Sequence, residues 1–115
     1  MAAITEVVVT GVNTPVTATR TILSAADTLV YSSGANQRLV LWNETASPVV
    51  VTIDGSGGTT VSPAGLGQAI SVAAGIAITV GADASVVVQL DKISAYCQGT
   101  VAVTGGVGVT AMLWR

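Results

Sequence analysis

The stretch RLVLWNETASPVVVTI, residues 38–53, decides how this chain folds. It holds two short apolar runs, Leu39-Val40-Leu41-Trp42 and Val49-Val50-Val51, each of strand length and too short for a helix of ordinary size. Both are apolar at every position, so neither shows the alternation of a half-solvated strand. Val86-Val87-Val88 has the same character. Such strands lie between two layers, or turn one face toward another subunit. With no helices to cover a second face, a subunit contact is expected for at least one of them. Asp54-Gly55 follows the second run directly and predicts a chain reversal there.

Along the rest of the chain valine and threonine dominate, and both are stiff at the first side-chain torsion, which favours pleated strands. The expected strands are Ile4 to Thr10, Thr17 to Leu23, Thr28 to Ser32, Arg38 to Asn43, Val49 to Ile53, Ala69 to Val72, Ala77 to Val80, Ser85 to Leu90, Ile93 to Cys97, Thr100 to Val103 and Val109 to Trp114. Ile70-Ser71-Val72 and Ile78-Thr79-Val80 do alternate. Ala74-Gly75 and Thr104-Gly105-Gly106 read as hairpin turns, and Ser24 as the cap of one helical turn. Short strands at this spacing predict an all-β, antiparallel fold in one domain, residues 1–115, built as a β-sandwich, jelly roll or small barrel. The Gly-spaced second half also invites a β-helix reading, but no fixed repeat supports it.

Of the 115 residues, 50% are apolar, 9% charged and 3% aromatic. Soluble domains carry roughly 25% charge, so an unusually neutral surface, part of it buried in an assembly, is expected. A net charge of -2 offers no footprint for nucleic acid or an anionic membrane. The charge-free stretch from Gly55 to Ala82 is cut by Gly57, Gly58, Pro63, Gly65, Gly67, Gln68 and Gly75, and cannot be a spanning helix. Two Trp and two Tyr are too few for the girdles of a membrane barrel. The first residues carry no basic segment followed by an apolar run, so no signal peptide is read.

The chemistry-bearing residues are sparse. There is no histidine, and Cys97 is the one cysteine, with only Lys92 nearby to lower its pKa, so it reads as an inert buried thiol. Asp54-Gly55-Ser56-Gly57-Gly58 lacks the lysine and helix of a phosphate loop. Asp54, Asp83 and Asp91 lack calcium-loop spacing and read as turn residues. Asn43-Glu44-Thr45 matches a glycosylation sequon by chance. The sequence thus predicts a non-enzyme with no catalytic residue, no metal and no cofactor. Trp42 reads as core. Trp114, Tyr31 and Tyr96 are the candidate interface or ligand-contact residues, since Trp and Tyr anchor interfaces and stack on sugars.

The segments RTILSAADTLVYSSGANQRLVLWN (residues 20–43), VTIDGSGGT (51–59) and LDKISAYCQGTVAVTGGVGVTA (90–111) resemble small structural proteins of tailed bacteriophages. Within those, size and β content resemble the capsid decoration, or cement, proteins. The resemblance implies a jelly roll or related sandwich on the outside of the phage head, made in the host cytoplasm. It would clamp neighbouring capsomers, with the major capsid protein and itself, as homodimer or homotrimer, for partners. Neither nucleic acid, membrane nor small-molecule substrate is expected. The alternative is a fibre, tail or host-recognition module that binds a surface glycan. The resemblance transfers no functional residues.

Overall fold

The computed structural model describes residues 3–8, 15–17, 19–55, 60–61, 70–71 and 75–115. Within them the β-branched runs form strands β1 (Glu6–Val7), β2 (Thr21–Ile22), β3 (Ala26–Leu29), β4 (Arg38–Asn43), β5 (Val49–Gly55), β6 (Thr60–Val61), β7 (Ile70–Ser71), β8 (Ile76–Val80), β9 (Ala84–Gln89), β10 (Val101–Thr104) and β11 (Val109–Trp114). One sheet runs β1-β11-β4-β9, with β2 also on β11; the other runs β3-β10-β5-β8. Their inner faces meet in one core, Leu39, Leu41, Val109, Ala111 and Leu113 from the first and Leu29, Val51, Ile53, Val80, Val101 and Val103 from the second. The chain is an all-β sandwich.

The pairing follows a single rule. β2 pairs with β11, β3 with β10, β4 with β9, β5 with β8 and β6 with β7, all antiparallel. Strands β2 to β11 therefore pair as one long antiparallel ribbon, with β6 and β7 as its last pair. Winding this ribbon places β4 beside β11 and β5 beside β10, and sends β2 to β5 of one arm and β8 to β11 of the other alternately to the two sheets, while β6 and β7 pair apart from both.

This winding overturns the expected local hairpins. Asp54-Gly55 is not a reversal: β5 runs through it, with Asp54 opposite Ala102 and Gly55 opposite Val101. Gly55 is needed for another reason, since a Cβ there would overlap the backbone N and O of Gln98, which lies against the strand. Thr104-Gly105-Gly106 carries the chain from one sheet to the other; Gly105 adopts φ 76° and donates its N–H to the Ala25 carbonyl at 3.2 Å. Around Ala74-Gly75, β7 and β8 pair with β6 and β5 and not with each other. Ala74, and the ends of the expected strands at Thr10, Ala69 and Val72, lie outside the described residues.

Two further expectations are corrected. Ile93 to Cys97 is not a strand: Leu90–Tyr96 forms 3-10 turns kinked at Ile93. The chain must here leave the edge strand β9 for the interior strand β10, and Leu90, Ile93 and Cys97 plug the end of the core on the way. Ser24 caps no helical turn. Its N–H and hydroxyl instead donate to the Asp27 carboxylate at 2.8 and 3.0 Å, bending the chain into β3.

The two sides of the sandwich differ. On one, residues 3–7 cross from sheet to sheet: Ala3 bridges Thr28 of β3, and β1 then lies parallel to the end of β11. Glu6 fastens this crossing by pairing with Arg115 at 3.4 Å and accepting from the amide of the fully buried Gln37. On the other side lie the edges of β8 and β9, where the inward-facing Ile76, Ile78, Val86 and Val88 are only half-buried.

Candidate functional site

The outer face of the β11-β4-β9 sheet is where the residues of the opening stretch become informative. Burial alternates along β4, with Leu39, Leu41 and Asn43 inward and Arg38, Val40 and Trp42 outward. Trp42 is therefore not core: it is half-exposed on the outer face. The register sets three rows across this face. Ile22, Thr110, Trp42 and Ser85 form the first, Met112, Val40 and Val87 the second, and Trp114, Arg38 and Gln89 the third. Ile22 is 72% exposed and Val87 61%. Arg38 is the one charge in these rows. The opposite sheet presents Thr28, Ala102, Thr104, Val50, Thr52, Asp54, Ala77 and Thr79 outward, mostly threonine and alanine with one exposed valine and one carboxylate.

The two apolar runs thus have different fates. Val49-Val50-Val51 turns only Val50 to solvent, in a setting of threonine and alanine. Leu39-Val40-Leu41-Trp42 contributes Val40 and Trp42 to an outer face whose middle row, Met112, Val40 and Val87, is wholly apolar and whose other two rows mix Ile22, Trp42 and Trp114 with Thr110, Ser85, Arg38 and Gln89. With strands about 4.8 Å apart and about 3.3 Å per residue, that face measures roughly 300 Å². This is under half of the roughly 800 Å² per partner of a stable complex, so a single contact made by it is weak and gains from repetition.

Of the three candidate contact residues, only Trp114 lies on this face, paired between Val7 and Arg38 and half-buried. Its row is separated from that of Trp42 by Met112 and Val40. Tyr31 packs against the core, and its hydroxyl donates to Asp91 Oδ1 at 2.7 Å. Tyr96 closes the 3-10 segment, half-buried. Neither tyrosine belongs to the outer face of this sheet.

Asp91 organises the β3–β4 connection. Besides Tyr31 it accepts the N–H groups of Gly34 at 3.0 Å and Asn36 at 3.1 Å, and Asn36 takes the left-handed φ of 59°. The Tyr31 hydrogen bond, then that of Gly34, holds its carboxyl below the usual aspartate range, while the same bond raises the Tyr31 phenol. Burial, helped by the charge of Asp91, pushes the Cys97 thiol up to about 11, so it stays protonated at neutral pH. Among the described residues no three carboxylate or cysteine side chains gather in a way that could hold a metal ion, and no helix is long and apolar enough to cross a membrane. Of the glycine-rich segment 54–58, Ser56, Gly57 and Gly58 lie outside the described residues.

Three buried polar side chains escape a hydrophobic reading of the sequence: Asp27, Gln37 and Asn43, all with no exposure. Asn43 takes part in five hydrogen bonds. Its amide donates to the carbonyls of Ser47 at 2.8 Å, Val80 at 3.1 Å and Gly81 at 3.2 Å. Its oxygen accepts the Thr45 N–H at 2.9 Å and hydroxyl at 2.6 Å. The sequon asparagine is thus fully engaged in tying the β4–β5 corner to the β8–β9 corner. A cavity of about 300 Å³ opens beside the N-terminal crossing, lined by residues that include Ile4, Glu6, Val30 and Leu113.

No family model, curated protein or solved structure matches this chain.

Proposed function

We propose that the chain is a non-enzymatic structural protein of a virion, a decoration protein on the outside of a tailed-phage head. It binds the major capsid protein and copies of itself and stabilises neighbouring capsomers. The observation that carries this reading is the outer face of the β11-β4-β9 sheet, where Trp42, Trp114, Met112, Val40, Val87 and Ile22 gather on a chain with little charge. A weak face of this kind suits a lattice, in which many equal contacts act together. The wound antiparallel ribbon supports the finer, jelly-roll-like description of the sandwich, a form built from two interlocked Greek keys. The sequence resemblance to phage structural proteins points the same way.

The test is the stability of heads that lack the chain. Adding it back raises the temperature at which packaged DNA is released, and the Trp42→Ala/Trp114→Ala variant gives no such rise. Heads that respond equally to both proteins would overturn the assignment of the face. The two half-exposed tryptophans also carry the second reading, a host-recognition module that binds a glycan. Binding to a glycan array that is lost in Trp114→Ala, with heads left unaffected, would put that reading first.

A further inference from the structure

We infer that the free edge of β9 is a self-pairing edge, on which two copies of this chain join antiparallel about a two-fold axis perpendicular to the sheet. The inference rests on the assembly reading and names the surface by which the chain meets its own copy.

Two edges of the sandwich are blunted. Residues 3–4 cover β3, with the Ile4 N–H donating to the Thr28 carbonyl at 2.7 Å, and the strands on the outer side of β11 are two residues long. Short or covered edges are how proteins avoid unwanted pairing. β9 is different. It is six residues long, ASVVVQ, with no charge, proline or glycine, and among the described residues only β4 pairs with it. The neighbouring edge, β8, is comparably bare, but its outward residues Ala77 and Thr79 extend no apolar face. At β9 the outward Val87 is 61% exposed, and the inward Val86 and Val88 stay half-buried at the open seam.

A second copy fits this edge because the strand is self-complementary. Antiparallel pairing opposes residues on the same face of the sheet, so the two-fold must pass through an inward or an outward residue. Centred on Val86, it sets Ser85 against Val87 of the other copy and Ala84 against Val88, and brings no like charges together. An axis perpendicular to the sheet leaves both outer faces on one side. The two outer faces then lie side by side as one surface of roughly 600 Å², spanning β11-β4-β9 of both copies, with Val87 and Ser85 alternating along the seam. The seam itself, about 20 Å long, buries too little for a permanent dimer. The pairing is therefore concentration-dependent, and on a lattice it yields a two-armed contact.

Sedimentation velocity over a concentration series tests this with Ser85→Lys/Val87→Lys and Ser85→Glu/Val87→Glu. Both positions are exposed, so the variants fold. The expected result is a reversible dimer for the parent chain, self-association weakened roughly tenfold in each variant by like charges set opposite one another, and recovery when the two variants are mixed. A parent chain that stays monomeric up to about millimolar concentration overturns the inference, as does a dimer indifferent to both substitutions or a mixture that fails to recover. Head binding is measured separately. A dimer that ignores heads refutes the decoration role alone, and a monomer that coats heads refutes the pairing alone.

Discussion

Replacing Asn43 tests whether the two corners it joins hold the sandwich together. Asn43→Ala removes the amide that serves the Ser47, Val80 and Gly81 carbonyls and the oxygen that serves Thr45. Leaving a buried polar group unmet costs about 1–3 kcal/mol. The Val80 carbonyl is the buried one of the three, and the others are partly open to water. The expected loss is therefore about 3 kcal/mol, a large share of the roughly 5–15 kcal/mol that stabilises a domain. In urea, with a slope of about 1.5 kcal/mol/M, the midpoint falls by about 2 M at unchanged slope. Asn43→Asp is the sharper variant, because it keeps the acceptor for Thr45 and turns a carboxylate oxygen toward the carbonyls. Its folded-state pKa is raised above the unfolded value, so the penalty is full at neutral pH and shrinks as pH falls through that raised pKa. A midpoint within about 0.3 M of the parent, or an Asn43→Asp deficit relative to the parent that fails to shrink as the pH is lowered, would show that Asn43 does not hold the two corners.

The direction of β4 side chains predicts that Leu41→Ala costs about 2–5 kcal/mol while Trp42→Ala costs about 1, despite the larger group removed; equal losses in thermal unfolding would place Trp42 back in the core. Tyr31→Phe removes the leading cause of the lowered Asp91 pKa, so its carboxyl titration, followed by NMR, moves upward. The parent's stability from this group is full above the unfolded aspartate value and is lost as pH drops through the lowered one; the variant shows a smaller loss over that acid range, and identical acid profiles would contradict the contact. Cys97 is expected to resist a thiol reagent at pH 8 until urea unfolds the chain, and rapid labelling of the native protein would show that it is not buried as described.

Strand identity was legible wherever β-branched residues crowd together. Arg38 to Asn43 and Val109 to Trp114 form strands with the bounds expected, and Val49, Ile76 and Ala84 open strands within a residue of expectation. Partner choice was not legible. Turn residues such as Asp54-Gly55 speak of local reversal, but winding of the ribbon is decided by strands far apart in sequence, and Gly55 answers to Gln98. Ile93 to Cys97 carries strand-forming residues, yet the path from β9 to β10 requires a crossing, and tertiary geometry prevails over propensity. Trp42 was misplaced because an all-apolar run carries no parity. The buried Asn43 sets it: with Asn43 inward, its neighbour Trp42 must point out. Trp114 was the one expected contact residue on the apolar face, while Tyr31 is occupied by Asp91, a partner sixty residues away in sequence.

The most direct measurement of the central proposal is co-sedimentation of the purified chain with assembled heads that lack it, set beside two single-face variants. Met112→Lys charges the apolar face and Thr79→Lys charges the opposite sheet. Saturable binding is expected for the parent and for Thr79→Lys, with binding lost in Met112→Lys although it remains folded. Absence of the parent chain from the head fraction, or equal binding by all three proteins, would contradict the proposal.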